Sequence, residues 1–183
     1  PKLDPKTNRQ QYELYMIEKH YNIGVNLYEG INCIKNVNKS IYHLKIAAEK
    51  NSPKAQFYLG KILLFEKKIE EALYYLNLSS KQNFSDANFL LGKIHYEGTI
   101  VKKDFDKALH YFELAAFKNH SNALLMLFHI YVQPLKGIKK DYKKAFNYLS
   151  RSAKLNNSAS QYYLGIWHLK EKFWYYNKNI GIY

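Results

Sequence analysis

Seven histidines and one cysteine, Cys33, are the residues of this 183-residue chain that could ligate a transition metal or supply a strong nucleophile. Their spacing serves neither chemistry. A zinc-binding helix needs two histidines one turn apart with a carboxylate between them, and no His-Glu-x-x-His occurs. No histidine forms a close ligand pair with Cys33. A nucleophile elbow, a phosphate-cradling glycine loop and a dinucleotide turn are also missing. The expectation is a chain with no catalytic residues, no metal ligands and no cofactor.

Lysine is the residue type whose placement could still do chemistry. The formal net charge is +13. Lys35 and Lys39, then Lys67 and Lys68, then Lys102, Lys103 and Lys107, then Lys136, Lys139, Lys140, Lys143 and Lys144 form four separate clusters. Clustered ammonium groups attract a phosphate backbone or an acidic protein surface, in a salt-dependent way. Lys102, Lys103, Lys136, Lys139, Lys140, Lys143 and Lys144 are the candidate anion-binding residues. One fact weakens that reading. Only Arg9 and Arg151 are arginine, and fork-like phosphate contacts and base readout favour arginine. Abundant Lys, Asn, Ile and Tyr also fit an A/T-rich coding sequence, in which lysine is the default soluble residue.

What must position these clusters is a repeat. Ala55-Gln56-Phe57-Tyr58-Leu59-Gly60 returns as Ala87–Gly92, as Ala123–Phe128 and as Ser160–Gly165, with a weaker first copy at Lys19–Gly24. The copies are spaced by 36, 32, 36 and 37 residues. A second block, Lys39–Ala48, returns as Glu71–Ser80, Lys107–Ala116 and Lys144–Ala153 with offsets of 32, 36 and 37. Self-similarity at this period marks a solenoid of helical pairs. The lysine clusters fall in the loops between the two helices of each unit or just after them. Stacked loops would align them into a basic ridge.

The first helix of each unit is apolar nearly all round, as in Phe89, Leu90, Leu91, Ile94 and Tyr96, so it must be buried on most sides. Its glycine (Gly24, Gly60, Gly92, Gly165) costs about 1 kcal/mol against alanine within a helix. Recurrence at one slot implies that a neighbouring helix passes too close for a side chain. Phe128 breaks the rule and predicts a wider helix separation there. The second helix has small pairs, Ala47-Ala48, Ser79-Ser80, Ala115-Ala116 and Ser152-Ala153, that allow close crossing. Tyr75, Tyr111 and Tyr148 share a slot as plugs between layers, with His43 there as core filler. His95 and His168 share the slot of Tyr131 and read as packing variants.

Helix ends are chemically marked. Asn36, Asp104 and Asp141 stand where an N-cap side chain accepts free amide hydrogens. The second unit lacks this segment, which explains its short length. Asn51, Asn83, Asn119 and Asn156 close the second helices in register. Asparagine tolerates the left-handed conformation that ends many helices. Pro53 opens the next helix at a favoured first-turn position.

The run Ala-x-x-x-Leu-Gly, then Val101-Lys102-Lys103-Asp104-x-x-Lys107-Ala108, then Tyr111-x-x-x-Ala115-Ala116, then Ala123, resembles the SEL-one-like repeat (SLR) family. These are tetratricopeptide-related α-solenoids of about 36 to 44 residues per unit. The resemblance covers residues 19–169 and is best in the third unit. Ile138-Lys139-Lys140-Asp141-x-x-Lys144-Ala145 repeats it closely in the fourth. The family usually has glycine where this chain has the four asparagines. The resemblance implies an all-α solenoid of about four repeats plus one extra helix, serving as a non-catalytic scaffold or adaptor. Family examples include adaptors in endoplasmic-reticulum-associated degradation, activators of chitin synthase, and bacterial effectors. A branch that staples each repeat with a disulfide is excluded by the single cysteine.

Three segments are expected: an N-terminal extension or capping helix over 1–18, the array over 19–169, and an aromatic segment over 170–183. In the last, Phe173, Trp174, Tyr175 and Tyr176 either cap the array, dock on a partner or mark a truncated array. On the first helices, Lys61, Lys93 and His129 share one register and are candidate partner contacts. No apolar run is long enough to span a membrane. One cysteine fits a reducing compartment, and the expected location is intracellular, soluble or peripheral in a complex.

The leading functional reading is a scaffold for other proteins in a multi-subunit complex. A second is a nucleic-acid-bound subunit of a ribonucleoprotein, gripping RNA or another acidic surface with the lysine ridge. A third is a luminal adaptor in protein quality control. That one draws on the Asn-x-Ser triplets at Asn38, Asn77, Asn83, Asn119 and Asn156, three of which are helix-end asparagines.

Overall fold

The computed structural model describes the backbone of residues 5–133 and 138–180, and the side chains of 9–133 and 138–169. Among the described residues, nine helices follow one another: α1 (Pro5–Glu29), α2 (Val37–Glu49), α3 (Pro53–Phe65), α4 (Ile69–Lys81), α5 (Ser85–Glu97), α6 (Phe105–Phe117), α7 (Ser121–Val132), α8 (Tyr142–Lys154) and α9 (Ser158–Ile180). The fold class is the all-α solenoid of helix pairs. None of these helices is long and apolar enough to cross a membrane.

Local chemistry sets the helix ends. The side chains of Asn36, Asp104 and Asp141 accept from the amides of Lys39, Lys107 and Lys144 at 2.9, 3.0 and 2.9 Å. Ser52 caps α3 ahead of Pro53. Asn51, Asn83, Asn119 and Asn156 all hold positive φ, between 57° and 63°. The shortened second repeat has no room for a capping side chain. Its α3–α4 connection places Lys67 at φ 60° and leaves α4 without a side-chain cap.

Two compact units divide the chain, Pro1–Ala87 and Asn88–Tyr183. In the first, α1 packs on α2, α2 on α3 and α3 on α4. Leu44, Ala47, Leu59, Ile62, Leu63 and Ala72 form its buried core. In the second, α6 packs on α7, α7 on α8 and α8 on α9 around Phe112, Ala115, Leu124, Leu127, Ile130 and Leu149. The small pairs are buried in all four second helices. Serines there bond across helices: Ser40 Oγ donates to the Gly24 carbonyl and Ser79 Oγ to the Pro53 carbonyl, both at 2.7 Å, and Ser152 Oγ donates to the Ser121 carbonyl at 2.8 Å.

The glycine slot is a close approach at three of its four positions. A Cβ on Gly24 would lie 2.6 Å from Leu44 Cγ, on Gly60 2.7 Å from Leu76 Cγ, and on Gly92 2.7 Å from the Phe112 ring. Gly165 departs from the expectation, since nothing lies within 4 Å of its Cβ position. The helix that crosses the other glycines has no counterpart beside α9 among the described residues. Phe128 is itself buried, with ring centroids 5.7 and 6.4 Å from Tyr163 and Trp167 of α9.

The tyrosine slot packs as layers. Tyr111 stacks on His95 at 5.7 Å and Tyr148 on Tyr131 at 5.8 Å. His43 requires a correction. It is half-buried and not core filler, and its Nδ1 lies 2.9 Å from Nδ1 of His20 on α1.

Candidate functional site

α3 turns Gly60 towards α4, so Lys61, the next residue, points away from that contact and is exposed. Its Nζ sits 5.5 and 5.1 Å from the ring centroids of Phe57 and Tyr58, one turn earlier on the same helix. That distance suits a cation–π contact. Tyr58 meets Tyr21 of α1 edge to face at 5.7 Å, and Lys54 Nζ lies 5.6 Å from the Tyr21 ring and 3.5 Å from Glu18. Burial, with Tyr58 and Glu18 adding to it, pushes the Tyr21 hydroxyl up to about 12. The result on the first unit is a surface of aromatic faces and ammonium groups with one carboxylate. Sequence spacing singles out Lys61. The aromatic partners were readable as its i−4 and i−3 neighbours but were absorbed into the packing pattern.

The other two residues of that register belong to the second unit and have different neighbours. Lys93 pairs with Glu97 at 3.5 Å, both partly exposed. His129 is half-buried, edge to face with Tyr163 at 5.2 Å, and burial holds its imidazole below the ordinary value of 6.5. Lys61, Lys93 and His129 therefore share a helical position without sharing an environment.

The lysine loops of the second unit are solvent-facing. Lys102, Lys103, Lys139, Lys140, Lys143 and Lys144 are all exposed, and among the described residues none of the six is in an ion pair. Lys136 lies outside the described residues. Lys144 Nζ rests 5.3 Å from the Tyr131 ring and Lys103 Nζ 5.5 Å from that of Phe105. Lys107, by contrast, is tied to Asp104 at 3.6 Å. Lys143 and Lys144 occupy the first turn of α8, where the helix already presents its positive end. Between Lys136 and Lys154 seven basic residues face one acid, Asp141.

α9 carries the backbone of Phe173, Trp174, Tyr175 and Tyr176, and their side chains lie outside the described residues. The Asn-x-Ser triplets have structural duties. Ser40 and Ser79 are buried hydrogen-bond donors, and Asn77 Nδ2 donates to the Leu73 carbonyl at 2.8 Å.

One feature escapes sequence reasoning. His20, whose Nδ1 lies 2.9 Å from Nδ1 of His43, borders an apolar cleft of about 260 Å³ lined by Tyr12, Met16, Ile17 and Ile46, with Glu13 and Lys50 at its edge. Burial, then the neighbouring His20, holds His43 below 6.5. A signal existed: both residues replace the usual type of their slot, glutamine or asparagine for His20 and tyrosine for His43. Among the described residues no group of three or more His, Cys, Asp or Glu side chains could hold a metal ion.

The comparisons agree with this geometry. The Sel1 repeat pattern matches residues 20–52, 53–84, 85–120, 121–157 and 158–178. Among solved structures, a Sel1 repeat protein from Oxalobacter formigenes is similar at 29% identity and TM-score 0.76, over 81% of this chain and 62% of that one. The protective antigen c5321 of uropathogenic Escherichia coli, which displays an SLR fold, is similar at 22% identity and TM-score 0.75, over 84% of this chain and 34% of that one. The immunity protein Pa5087 of Pseudomonas aeruginosa is similar at 18% identity and TM-score 0.53, over 75% and 68%. The chain thus spans less than two thirds of the length of the first two. No curated protein matches it. With five consecutive matches covering residues 20–178, the chain belongs to the Sel1 repeat family, whose members are generally protein-interaction scaffolds.

Proposed function

We propose that this chain is a non-catalytic scaffold that holds other proteins within a larger assembly. The observation that carries this reading is a surface of the first unit where the exposed Lys61 lies over the half-buried rings of Phe57 and Tyr58, beside Tyr21. Rigid aromatic faces flanked by solvent-exposed charge are the make-up of protein contact sites. The segment 170–183 is a second candidate contact, through Phe173, Trp174, Tyr175 and Tyr176.

The six exposed lysines of the second unit favour a second reading, a subunit bound to RNA or another polyanion. One experiment separates the two. The tagged chain is used for native capture with and without nuclease, alongside a variant with Lys139, Lys140, Lys143 and Lys144 changed to Glu. A scaffold keeps its protein partners after nuclease and in the lysine variant. A phosphate binder loses them in both. Four phosphate contacts would also weaken binding on the order of 100-fold between 50 and 200 mM salt.

A further inference from the structure

His20 of α1 and His43 of α2 each depart from their repeat slot. The first slot holds Gln56, Asn88, Leu124 and Gln161 in the other units, and the second holds Tyr75, Tyr111 and Tyr148. The two departures meet in space. Nδ1 of one ring lies 2.9 Å from Nδ1 of the other, and the ring centroids are 5.1 Å apart with a tilt of 31°. Both side chains are half-buried, so water reaches them. Spacing along a single helix, the usual sign of paired ligands, could not reveal them, because they come from two neighbouring helices.

Two Nδ1 atoms turned towards one point can share a hydrogen, one ring donating and the other accepting. They can also share a metal ion. Two imidazole nitrogens about 2.0–2.1 Å from an ion, at right angles around it, stand about 2.9 Å apart. The observed separation already matches a square-planar or tetragonal ion, whereas tetrahedral zinc would spread the pair to about 3.3 Å. We propose that His20 and His43 bind a divalent transition-metal ion through their Nδ1 atoms, copper(II) the most tightly, with water in its remaining positions. Copper(II) heads the affinity order for such ligands, and its preferred geometry is the one the pair presents. A structural zinc site takes four protein ligands, which two imidazoles do not supply. On binding, the hydrogen on the donor ring moves from Nδ1 to Nε2, and both Nδ1 lone pairs pass to the ion. No proton is released when both rings start neutral. The surroundings fit a ligand role. Burial and the neighbouring His20 hold His43 below 6.5, so at about pH 7.5 it offers a neutral nitrogen. The Tyr42 ring meets His43 edge to face at 5.3 Å and holds its plane. In the cleft beside His20, the Glu13 carboxylate favours a cation and the Lys50 ammonium opposes it. This site goes beyond the scaffold reading and does not depend on it.

The exposed Cys33 thiol would take copper on its own, so the test uses the full chain carrying Cys33→Ser, freed of metal. Copper(II) sulfate titrated into it should show one saturable site by calorimetry, with two nitrogen ligands by electron paramagnetic resonance. His20→Gln and His43→Tyr install residues that other repeats already carry at those slots. Each should weaken binding by at least about tenfold, with helicity unchanged by circular dichroism. His110→Gln removes an exposed histidine of α6 and should change nothing. Copper should raise the thermal midpoint of the parent and of neither slot variant. Absence of saturable binding overturns the site and leaves the pair a hydrogen bond. Equal binding by the parent and by a chain carrying both slot substitutions overturns it as adventitious surface binding. Full affinity retained in either single variant overturns the pairing.

Discussion

Replacing Gly60 by alanine would put a Cβ 2.7 Å from Leu76 Cγ and 3.2 Å from the Ala72 carbonyl oxygen. Neither neighbour is the far end of a flexible side chain, so the helix pair must spread. Alanine gains about 1 kcal/mol of helix propensity over glycine. Over-packing a close-fitted core costs about 1–3 kcal/mol. The balance goes against the substitution at Gly60 and again at Gly92, where ring atoms of Phe112 stand at 2.7 Å. At Gly165 only the propensity gain remains. We expect Gly60→Ala and Gly92→Ala to lower stability in urea by up to about 2 kcal/mol, and Gly165→Ala to raise it by up to about 1 kcal/mol. Equal effects at all three sites would refute this account of the slot. The same residue type in the same register thus does two different things, and the sequence alone could not separate them. It shows the glycine but not whether a side chain packs against it.

Elements end where short-range chemistry says they should. The four asparagines adopt the left-handed conformation at the close of α2, α4, α6 and α8. That conformation costs a side chain with a Cβ roughly 1–2 kcal/mol, less for asparagine and nothing for glycine. Asn51→Ala should therefore lose about 1 kcal/mol in chemical denaturation, while Asn51→Gly should be neutral or slightly stabilising. A loss with glycine as large as with alanine would mean that the Asn51 side chain, not its backbone, matters. Caps and asparagines were legible because each depends on residues within a few positions. Contacts between elements were legible only where the repeat copies them, as with the small pairs and the Tyr111–His95 and Tyr148–Tyr131 stacks. Unique contacts were not. His20 meets His43 across 23 residues, and Arg151 reaches back 35 residues to the Ala116 carbonyl at 2.9 Å. Nothing in a periodic pattern encodes an exception to it. The lysine loops were readable as charge, but that Lys107 is tied up while Lys139 and Lys140 are not depends on where the capping carboxylates turn.

For the molecule as a whole, ionisable groups in both units set one pH window. His43 lies in the first unit, and His95 and His129 in the second. Burial lowers all three below 6.5, with His20 adding to it for His43 and Lys107 for His95. A histidine depressed in the folded state takes up its proton more readily when unfolded. As pH falls below about 6.5 the unfolded chain therefore gains protons that the folded chain resists, and stability declines. On the alkaline side the sign reverses. Tyr21 and Tyr131 are pushed up to about 12, chiefly by burial, from the usual 10.0. The folded chain keeps those protons while the unfolded chain sheds them, so stability declines as pH rises above about 10. Thermal midpoints should form a plateau between about pH 6.5 and 10 and fall on both sides. His43→Tyr combined with His95→Tyr installs the tyrosine found as Tyr75, Tyr111 and Tyr148 at the first slot and as Tyr131 at the second, and it should shallow the acid limb without moving the alkaline one. A midpoint that rises between pH 7 and pH 5, or an acid limb unchanged in the double variant, would show that these histidines are not what the folded state protects from protons.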